Sequence, residues 1–504
     1  MKQKLVNNAI LNVLFGLTNA FLGFLLLPYM TTKLGLLNYG LYTLVMLFSN
    51  SSYAQILDFG LQSAVTKFTA QFHARNELQK IKVLLSTVFI NFIAVASITF
   101  TIGFFCRDSI INILNIPNDK HEIMSICLTF AFMSFFFTLP NLALIGVLQG
   151  YRNFPELRAA EFATNSLRTL LIFGSLIFSD SLEMLLLINL IMAALALLIN
   201  LILVYLYCDK SYPTPKNFAW SIVQEIRTLT LWVFIGRFCS TLFKQVDRIL
   251  ISILLGPIAV AEYEIFTKVP YVLKSIFGQV NEIVMPASSY IFETADREIR
   301  LQKLFYKSLR WQMFISLPIY FALICYSREF LTAWAGPQAA HLSWPFILTV
   351  IMSMTLVFMG GASMLLGINV RLKEVTLLAI LASTANLIAT YYFLKTFGVS
   401  GAIYGSLVGI LLQMPLYFYY FAREFKISIY QILREYSLYL TIGTAGLVLK
   451  MNMLDTLQID NPVILFLSST VMLLSLYVIS FFAILDSDDR AMISNLKNRI
   501  LPSA

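Results

Sequence analysis

Three basic residues spaced along one apolar segment are the best candidates for chemistry in this sequence. Arg237, Lys244 and Arg248 stand at i, i+7 and i+11 within residues 228–255. A helical period of 3.6 residues puts them on one stripe, roughly 16 Å long at about 1.5 Å per residue. Aligned cations of this kind are suited to binding anionic groups such as phosphate or diphosphate.

A neighbouring carboxylate offers a second interpretation. Asp247 lies three residues after Lys244, so an intrahelical ion pair could serve only to lower the cost of membrane insertion. Each cation would cost about 2.5–3.5 kcal/mol at a lipid-facing helix centre. One carboxylate cannot balance three cations, and we therefore expect the stripe to face water or an anion. Asp247 and Glu282 are also candidate proton or cation coupling sites, with structural ion pairs as the alternative.

A second polar stripe is predicted within residues 262–290. Tyr271, Lys274 and Asn281 share one helical face there, and we expect them to line the same cavity as the first stripe. Lys268 falls on another face and follows Glu264 by one helical turn. This spacing predicts a structural ion pair between Lys268 and Glu264.

The N-terminal half has fewer charges in its apolar segments. We expect Arg168 to reach the cavity, although Glu161 offers it a structural partner seven residues earlier. Asn8, Asn12 and Asn19 share one helical face. Asparagines at such spacing either pack helices together in a membrane or line a polar cavity, and both interpretations stay open.

Motifs of enzymes and metal sites are absent from the sequence. It has no G-x-x-x-x-G-K-[ST] loop, and His73, His121 and His341 lack the spacing of metal ligands. The five Cys occur singly, which is typical of reduced packing residues. We therefore expect no catalytic residue, no metal and no cofactor, and a protein that is not an enzyme.

The elements that position these residues must lie in a membrane. Hydrophobic residues make up 58% of the 504 residues and charged residues only 12%, against about 25% in a soluble domain. The net charge of +9 is scattered through short loops, which argues against a nucleic-acid partner. The predicted fold class is all-α integral membrane, with the lipid bilayer as its surroundings.

Fourteen apolar windows are long enough to form transmembrane helices. They cover residues 6–30, 39–57, 83–105, 123–147, 160–178, 182–207, 228–255, 262–290, 308–326, 344–367, 374–394, 401–421, 436–453 and 462–485. No loop between them exceeds roughly 25 residues, which is too short for a catalytic domain of ordinary size.

The distribution of Lys and Arg predicts the orientation. With the N-terminus inside, 24 of the 36 Lys and Arg fall on the cytoplasmic side and six, including Arg107 and Lys120, on the other. Cytoplasmic loops retain such an excess. We therefore predict a multi-pass protein with both termini in the cytoplasm.

A weak internal repeat predicts two lobes, because repeats in transporters place a substrate site between two helix bundles. The matching positions are Gly16, Leu34 and Gly35, then Tyr39 and Tyr42, in one copy and Gly236, Leu255 and Gly256, then Tyr263, in the other. Chance matches in a membrane protein rich in Gly and Tyr are the alternative.

The predicted organisation follows from the repeat and the windows. It comprises an N-terminal lobe of six helices at 1–207, a cytoplasmic linker at 208–227, a second lobe of six helices at 228–421, two additional helices within 422–485 and a solvated cytoplasmic tail at 486–504.

Several short motifs occur in the same order as in a known family. They are Leu34-Gly35, Tyr39-Gly40-Leu41-Tyr42, Leu57-Asp58-Phe59-Gly60-Leu61 with Ala64 and Lys67, Asp247-Arg248, Leu255-Gly256 with Tyr263, and Gly398-Val399-Ser400-Gly401-Ala402. In these motifs the chain resembles the polysaccharide flippases, the O-antigen and capsule-unit translocases of the multidrug/oligosaccharidyl-lipid/polysaccharide exporter superfamily. The resemblance extends over the whole chain.

This resemblance implies a fold and a function. The fold would be two six-helix lobes around a central cationic cavity, plus two C-terminal helices. The function would be alternating-access transfer of undecaprenyl-diphosphate-linked oligosaccharide across the bacterial cytoplasmic (inner) membrane, for O-antigen, lipopolysaccharide or capsule synthesis. Polysaccharide polymerase and chain-length proteins would be partners. Asp58-Phe59-Gly60 matches the D-x-G motif of the family, where we expect a helix break and no substrate contact.

Two other functions compete with this interpretation. A small-solute exporter of the same superfamily is the nearest, although the cations argue against cationic drugs. A membrane polysaccharide polymerase or glycosyltransferase would need a large external loop with catalytic residues, and the longest external loops, near 106–122 and 327–343, contain only scattered charges.

Overall fold

The computed structural model describes most of the chain as α-helix. The described residues are 2–49, 57–219, 245–292, 296–369, 372–426, 430, 437, 462–487 and 489–490. The predicted span at 436–453, apart from residue 437, and the first part of the span at 228–255 lie outside them. Within these ranges the chain forms helices and turns and no strand, which confirms the all-α class.

The described ranges contain thirteen α-helices whose two ends are both defined. They are α1 Lys2–Ser49, α2 Leu61–Ala74, α3 Leu78–Ile113, α4 His121–Gly150, α5 Phe154–Phe178, α6 Leu182–Tyr207, α7 Pro257–Phe292, α8 Arg297–Cys325, α9 Ser327–Ala335, α10 Ser343–Asn369, α11 Leu372–Phe397, α12 Gly401–Phe425 and α13 Pro462–Ala483. Residues 245–255 are also helical and lead into α7.

Seven stretches of the described helices are long and apolar enough to cross a membrane. They are Phe21–Ser49, Leu78–Ile113, Asn118–Gly150, Leu182–Tyr207, Arg297–Cys325, Pro337–Ala362 and Leu377–Phe425. The predicted spans at 160–178 and 262–290 form α5 and α7, which carry more charged residues. These charges are the ones from which the sequence predicts a polar cavity.

The first two predicted spans are one helix interrupted at a glycine. Within α1, Gly35 has φ 74° and ψ 164°, a conformation outside the helical region that only glycine adopts at low cost. The helix continues through Pro28, whose carbonyl oxygen accepts hydrogen bonds from the hydroxyls of Thr31 and Thr32. The break lies at Gly35, between the two predicted windows at 6–30 and 39–57.

The predicted helix break at Asp58-Phe59-Gly60 is confirmed. Phe59 and Gly60 have φ values of 49° and 76°, so the chain leaves the helical path before α2 begins at Leu61. The Asp58 side chain is fully buried, and its Oδ1 accepts a hydrogen bond of 2.7 Å from the backbone N–H of Gly60. A buried carboxylate that closes a turn in this way is a structural device.

Two compact units divide the chain. One contains Met1–Glu264 and Asn386–Gly405, and the other contains Ile265–Ala385 and Ser406–Ala504. In the first unit α4 lies among α2, α3 and α6, with a core that includes Val65, Leu85 and Ala143. The lobe boundaries predicted at 207/208 and 227/228 stay a prediction.

In the second unit, α8 contacts the first residues of the segment 486–504, which was predicted to be a solvated tail. For Asp489 that prediction is wrong, because its side chain is only 1% exposed and lies 3.6 Å from both Lys307 Nζ and Arg310 Nε. Trp311 also donates to its carboxylate at 3.1 Å. The backbone N–H of Asp489 and the Arg310 guanidinium hold the pKa of Asp486 below its ordinary value. Tertiary pairing with α8 overrides the solvation expected of a charged terminus.

Candidate functional site

A tight corner between residues 245–255 and α7 carries the candidate site. Gly256 ends the first helix with φ 85°, and its N–H donates to the Ser252 carbonyl oxygen at 2.9 Å. Pro257 then starts α7, a position where its missing N–H costs nothing. The Gly-Pro pair turns the chain sharply enough for the two helices to bring their charged residues together.

The corner shares one backbone feature with the break in α1. Gly35 and Gly256, which are paired in the predicted repeat, have positive φ values of 74° and 85°. The repeat itself stays a prediction. The two corners also touch, since a Cβ on Gly40 would lie 2.0 Å from the Pro257 carbonyl oxygen.

At the centre of the corner Arg248 forms an ion pair with Glu264. Arg248 Nε donates to Glu264 Oε1, and Arg248 Nη1 donates to Gln245 Oε1 at 2.6 Å. The side chains of Arg248 and Glu264 are 17% and 8% exposed. Removing one partner of such a buried pair lowers the stability of the protein strongly, because the other partner is left as an uncompensated charge.

A buried carboxylate lies beside this pair. Asp247 is 2% exposed, and its Oδ2 accepts a hydrogen bond of 3.0 Å from the hydroxyl of Tyr263. The Arg248 guanidinium carbon lies 5.9 Å from the centroid of the Tyr263 ring. Asp247, Arg248, Tyr263 and Glu264, which we call the corner cluster, therefore combine two carboxylates with one guanidinium.

One predicted ion pair is formed with another partner. Glu264 pairs with Arg248 and not with Lys268, which the one-turn spacing had indicated. Glu161, the alternative partner considered for Arg168, pairs with Arg158, three residues before it, at 2.6 Å. The guanidinium of Arg248 reaches Glu264 across the Gly-Pro corner, a contact that spacing within a single helix does not reveal.

The other predicted cavity residues lie in several helices. Arg168 is half-buried in α5. Tyr271 and Lys274 are half-buried in α7. The cavity-lining role predicted for these residues stays a prediction. Outside the described residues or side chains lie Arg237, Lys244, Asn8, Asn12, Asn19 and Glu282.

Asn281 takes part in helix packing within the second unit. Its Oδ1 accepts a hydrogen bond of 2.7 Å from Gln312 Nε2 on α8. Its Nδ2 would lie 2.5 Å from a Cβ on Gly360 of α10. Asn281 therefore bonds one neighbouring helix and fits against a glycine of another, as polar residues do between membrane helices.

Sequence reasoning missed Gln245 and the tertiary role of Glu264. Gln245 lies one turn before Arg248, a spacing that could have indicated their hydrogen bond. Glu264 could have been recognised only from the Gly256-Pro257 corner, which folds α7 back toward Arg248. Among the described residues no group of three or more His, Cys, Asp and Glu is arranged to hold a metal ion.

An anion could bind to the corner cluster only if the present contacts of Arg248 rearrange. Arg248 already uses two of its nitrogens on Glu264 and Gln245, so an incoming phosphate would compete with the Glu264 carboxylate. An anion that displaced Glu264 would leave a buried carboxylate to protonate or bind a cation.

Comparison with known proteins identifies the family. A family described as "Polysaccharide biosynthesis protein" matches residues 5–292, more than half of the chain and including the whole corner cluster. The chain belongs to this family. The polysaccharide biosynthesis family falls within the multidrug/oligosaccharidyl-lipid/polysaccharide exporter superfamily, which confirms the resemblance drawn from the motifs.

Solved structures share the fold of this polysaccharide biosynthesis family member. The lipid II flippase MurJ, in an inward closed conformation, matches with a TM-score of 0.74 at 14% identity, over 98% of this chain and 100% of that chain. An inward-facing multidrug resistance MATE family transporter matches with a TM-score of 0.62 at 13% identity, over 83% and 98%. The MATE multidrug transporter DinF-BH matches with a TM-score of 0.59 at 15% identity, over 84% and 96%. A comparison of the sequence with curated proteins gave no match.

These likenesses show the fold. The chain has the multi-pass helical fold of these proteins, which are themselves a lipid II flippase and multidrug transporters.

Proposed function

We propose that the protein moves undecaprenyl-diphosphate-linked oligosaccharide from the inner to the outer leaflet of the bacterial cytoplasmic membrane, for O-antigen or capsule synthesis. The observation that carries this proposal is membership of the polysaccharide biosynthesis family. When the repeat unit of a cell-surface polysaccharide is made on a lipid carrier at the cytoplasmic side, the lipid-linked unit must be transferred to the outer leaflet. Polymerase and chain-length proteins would then use the product on the outer side.

The extent of the structural similarity supports a lipid-linked substrate. The match to a flippase of lipid II covers 98% of this chain, whereas the MATE matches leave out about a sixth. The basic residues that would bind the substrate are Arg237, Lys244, Arg248, Lys274 and Arg168. In this mechanism the diphosphate binds the cations, the sugar occupies an aqueous cavity, and the lipid tail stays in the bilayer.

A small-solute exporter is the second candidate function. Similarity to MATE multidrug transporters favours it, because those proteins share the helical architecture over more than four fifths of this chain. The cations of the site would then select an anionic solute, since a cationic drug is repelled by like charges.

Transfer between leaflets is the test of the proposal. Purified protein in liposomes should carry undecaprenyl-diphosphate-linked oligosaccharide to the opposite leaflet, where an added glycosidase or lectin can reach the sugar. Protein-free liposomes and liposomes with denatured protein give the background rate. A rate equal to the background for the lipid-linked sugar, together with uptake of a soluble anion, would favour the small-solute exporter.

Cysteine labelling tests the proposed orientation. Cys106 is exposed near the end of α3 that is predicted to lie outside, whereas Cys208 is buried after α6, where burial raises the pKa of its thiol to about 12. In a variant that retains only Cys106, we expect an impermeant maleimide to label intact spheroplasts. A variant with Lys210→Cys as its one thiol, in the exposed turn near Cys208, should react only after permeabilisation. The reverse pattern would overturn the orientation.

A further inference from the structure

A polar pocket outside the corner cluster lies between the end of α3 and the start of α4. It has a volume of about 580 Å³ and is open to the surface. Its polar lining comes from Arg107, Asp108, His121, Glu122, Ser125 and Thr129. The Lys and Arg distribution assigns this end of both helices to the exterior, at the level where the bilayer meets water.

The basic side of the pocket is held in place by three contacts. Arg107 Nη1 donates to Thr129 Oγ1 at 3.4 Å, and its guanidinium carbon lies 4.4 Å from the centroid of the Phe104 ring. Asp108 Oδ1 lies 3.9 Å from Arg107 Nε, at the edge of ion-pair range. Arg107 is therefore oriented by α4 and by an aromatic ring, with Ser125 and Thr129 as hydroxyl neighbours.

The acidic side of the pocket outweighs the basic side. Asp108 is 78% exposed, and Glu122 is also exposed at the first turn of α4. His121 donates from Nε2 to the carbonyl oxygen of Ile116 at 3.0 Å, which positions its ring at the rim. Two carboxylates beside one guanidinium suit a ligand that carries both a negative and a positive group.

Exposed apolar side chains adjoin this polar pocket. Phe104 and Phe105 are exposed on α3, one turn before Arg107, and Ile126 and Met133 are exposed on α4. Ile126 also lines the pocket itself. The apolar residues lie further along both helices toward the middle of the membrane, so a ligand with a polar head here would have its hydrocarbon beside them.

We propose that this pocket binds the headgroup of a zwitterionic, amine-bearing phospholipid. Arg107 and the hydroxyl of Ser125 hold the phosphodiester, because guanidinium and hydroxyl groups donate to phosphate oxygens. The Thr129 hydroxyl donates to the Ser125 carbonyl oxygen at 2.8 Å and accepts from Arg107, so it positions the guanidinium. Asp108 and Glu122 hold the ammonium group. The acyl chains lie against Phe104, Ile126 and Met133. An anionic headgroup is disfavoured, since it would meet two carboxylates and only one cation.

This site is independent of the proposed transport function. It uses none of the residues assigned to the substrate, and the lipid is a resident of the bilayer and not the cargo. A lipid-binding measurement therefore tests it without any transport assay.

Lipid retention by the full-length purified protein is the experiment. The protein is delipidated, given equal amounts of phosphatidylethanolamine and phosphatidylglycerol with the same acyl chains, and examined by native mass spectrometry. We expect phosphatidylethanolamine to be retained about tenfold more strongly, the preference that one charge-assisted contact supplies. Soluble glycerophosphoethanolamine should compete only weakly, because it lacks the chains that contact Phe104 and Ile126. Strong competition would reassign the pocket to a soluble phosphoamine.

Charge variants at the pocket make the test specific. The double variant Asp108→Asn with Glu122→Gln should lose the preference, and Asp108→Lys with Glu122→Lys should invert it toward phosphatidylglycerol. Asp296→Asn with Arg300→Gln removes an exposed ion pair of 2.6 Å in the other unit and should change nothing. Equal retention of both lipids by the parent, or an unchanged preference in the neutral double variant, would overturn the proposal.

Discussion

Exchanging the charges of Arg248 and Glu264 should leave the protein folded but unable to transfer lipid-linked diphosphate. Arg248→Glu alone breaks a buried ion pair and places a third carboxylate beside Asp247 and Glu264, a change expected to cost about 3–5 kcal/mol of stability. Adding Glu264→Arg restores an opposite-charge pair across the Gly256-Pro257 corner. The cation then lies on the other helix, outside the stripe of basic residues that the sequence predicts.

The exchange separates a structural role of Arg248 from a substrate-binding role. If Arg248 contacts the diphosphate, leaflet transfer by the exchanged variant should fall at least about tenfold, because a charge-assisted hydrogen bond is lost. Thermal unfolding in detergent should meanwhile return most of the way to the parental midpoint. A parental transfer rate would show that Arg248 serves only the ion pair.

A matched exchange elsewhere in the same unit is the control. Arg158 and Glu161 form an exposed ion pair of 2.6 Å on α5. Exposed pairs contribute about 0–1 kcal/mol, so Arg158→Glu with Glu161→Arg should preserve both stability and transfer. Loss of transfer in this control would mean that charge reversal disturbs the first unit in general.

Replacement of Gly40 by alanine should destabilise the protein severely. A Cβ at this position would lie 2.0 Å from the carbonyl oxygen and 2.7 Å from the carbonyl carbon of Pro257. Both atoms are backbone, so no side chain can rotate away, and the two corners must separate. Overpacking costs typically 1–3 kcal/mol and more when backbone must move, so we expect a loss of at least about 3 kcal/mol. The measurement is the thermal midpoint of the purified protein in detergent.

Gly174 provides the matched control for Gly40. It lies inside α5, and a Cβ there would meet no atom within 4 Å. Gly174→Ala should leave the midpoint unchanged or raise it, because alanine favours a helix by roughly 1 kcal/mol over glycine. Equal midpoints for Gly40→Ala and Gly174→Ala would contradict the close approach of the two corners.

The helical fold could be predicted because a membrane leaves few alternatives. Backbone groups in hydrocarbon must be paired within a helix, so apolar windows of about 20 residues translate directly into spans. The motif at Asp58 likewise indicated the break that Phe59 and Gly60 produce. The predicted windows ended at residue 30 and began again at 39, whereas the helix extends to the break at Gly35, where only the backbone conformation departs from helical values.

The candidate site was only half predictable. Charge rules on one helix selected Arg248 and Asp247 correctly as residues of interest, because a charge in an apolar segment must find a partner. Those rules consider only side chains that lie three or four positions apart on the same helix. They paired Glu264 with Lys268, whereas the fold pairs it with Arg248, and they described Asp489 as solvated although α8 buries it.

Composition and periodicity predicted the membrane class and the helical spans, because those properties follow from local contacts with lipid and water, and the order of short motifs indicated the family. Tertiary structure decided which charges neutralise one another and where polar side chains from different helices line a pocket. The reason is geometric: ion pairs such as Arg248 with Glu264 and the pocket at Arg107 form where different helices meet. The turn at Gly256 brings Arg248 and Glu264 together, and the packing of α3 against α4 forms the pocket at Arg107.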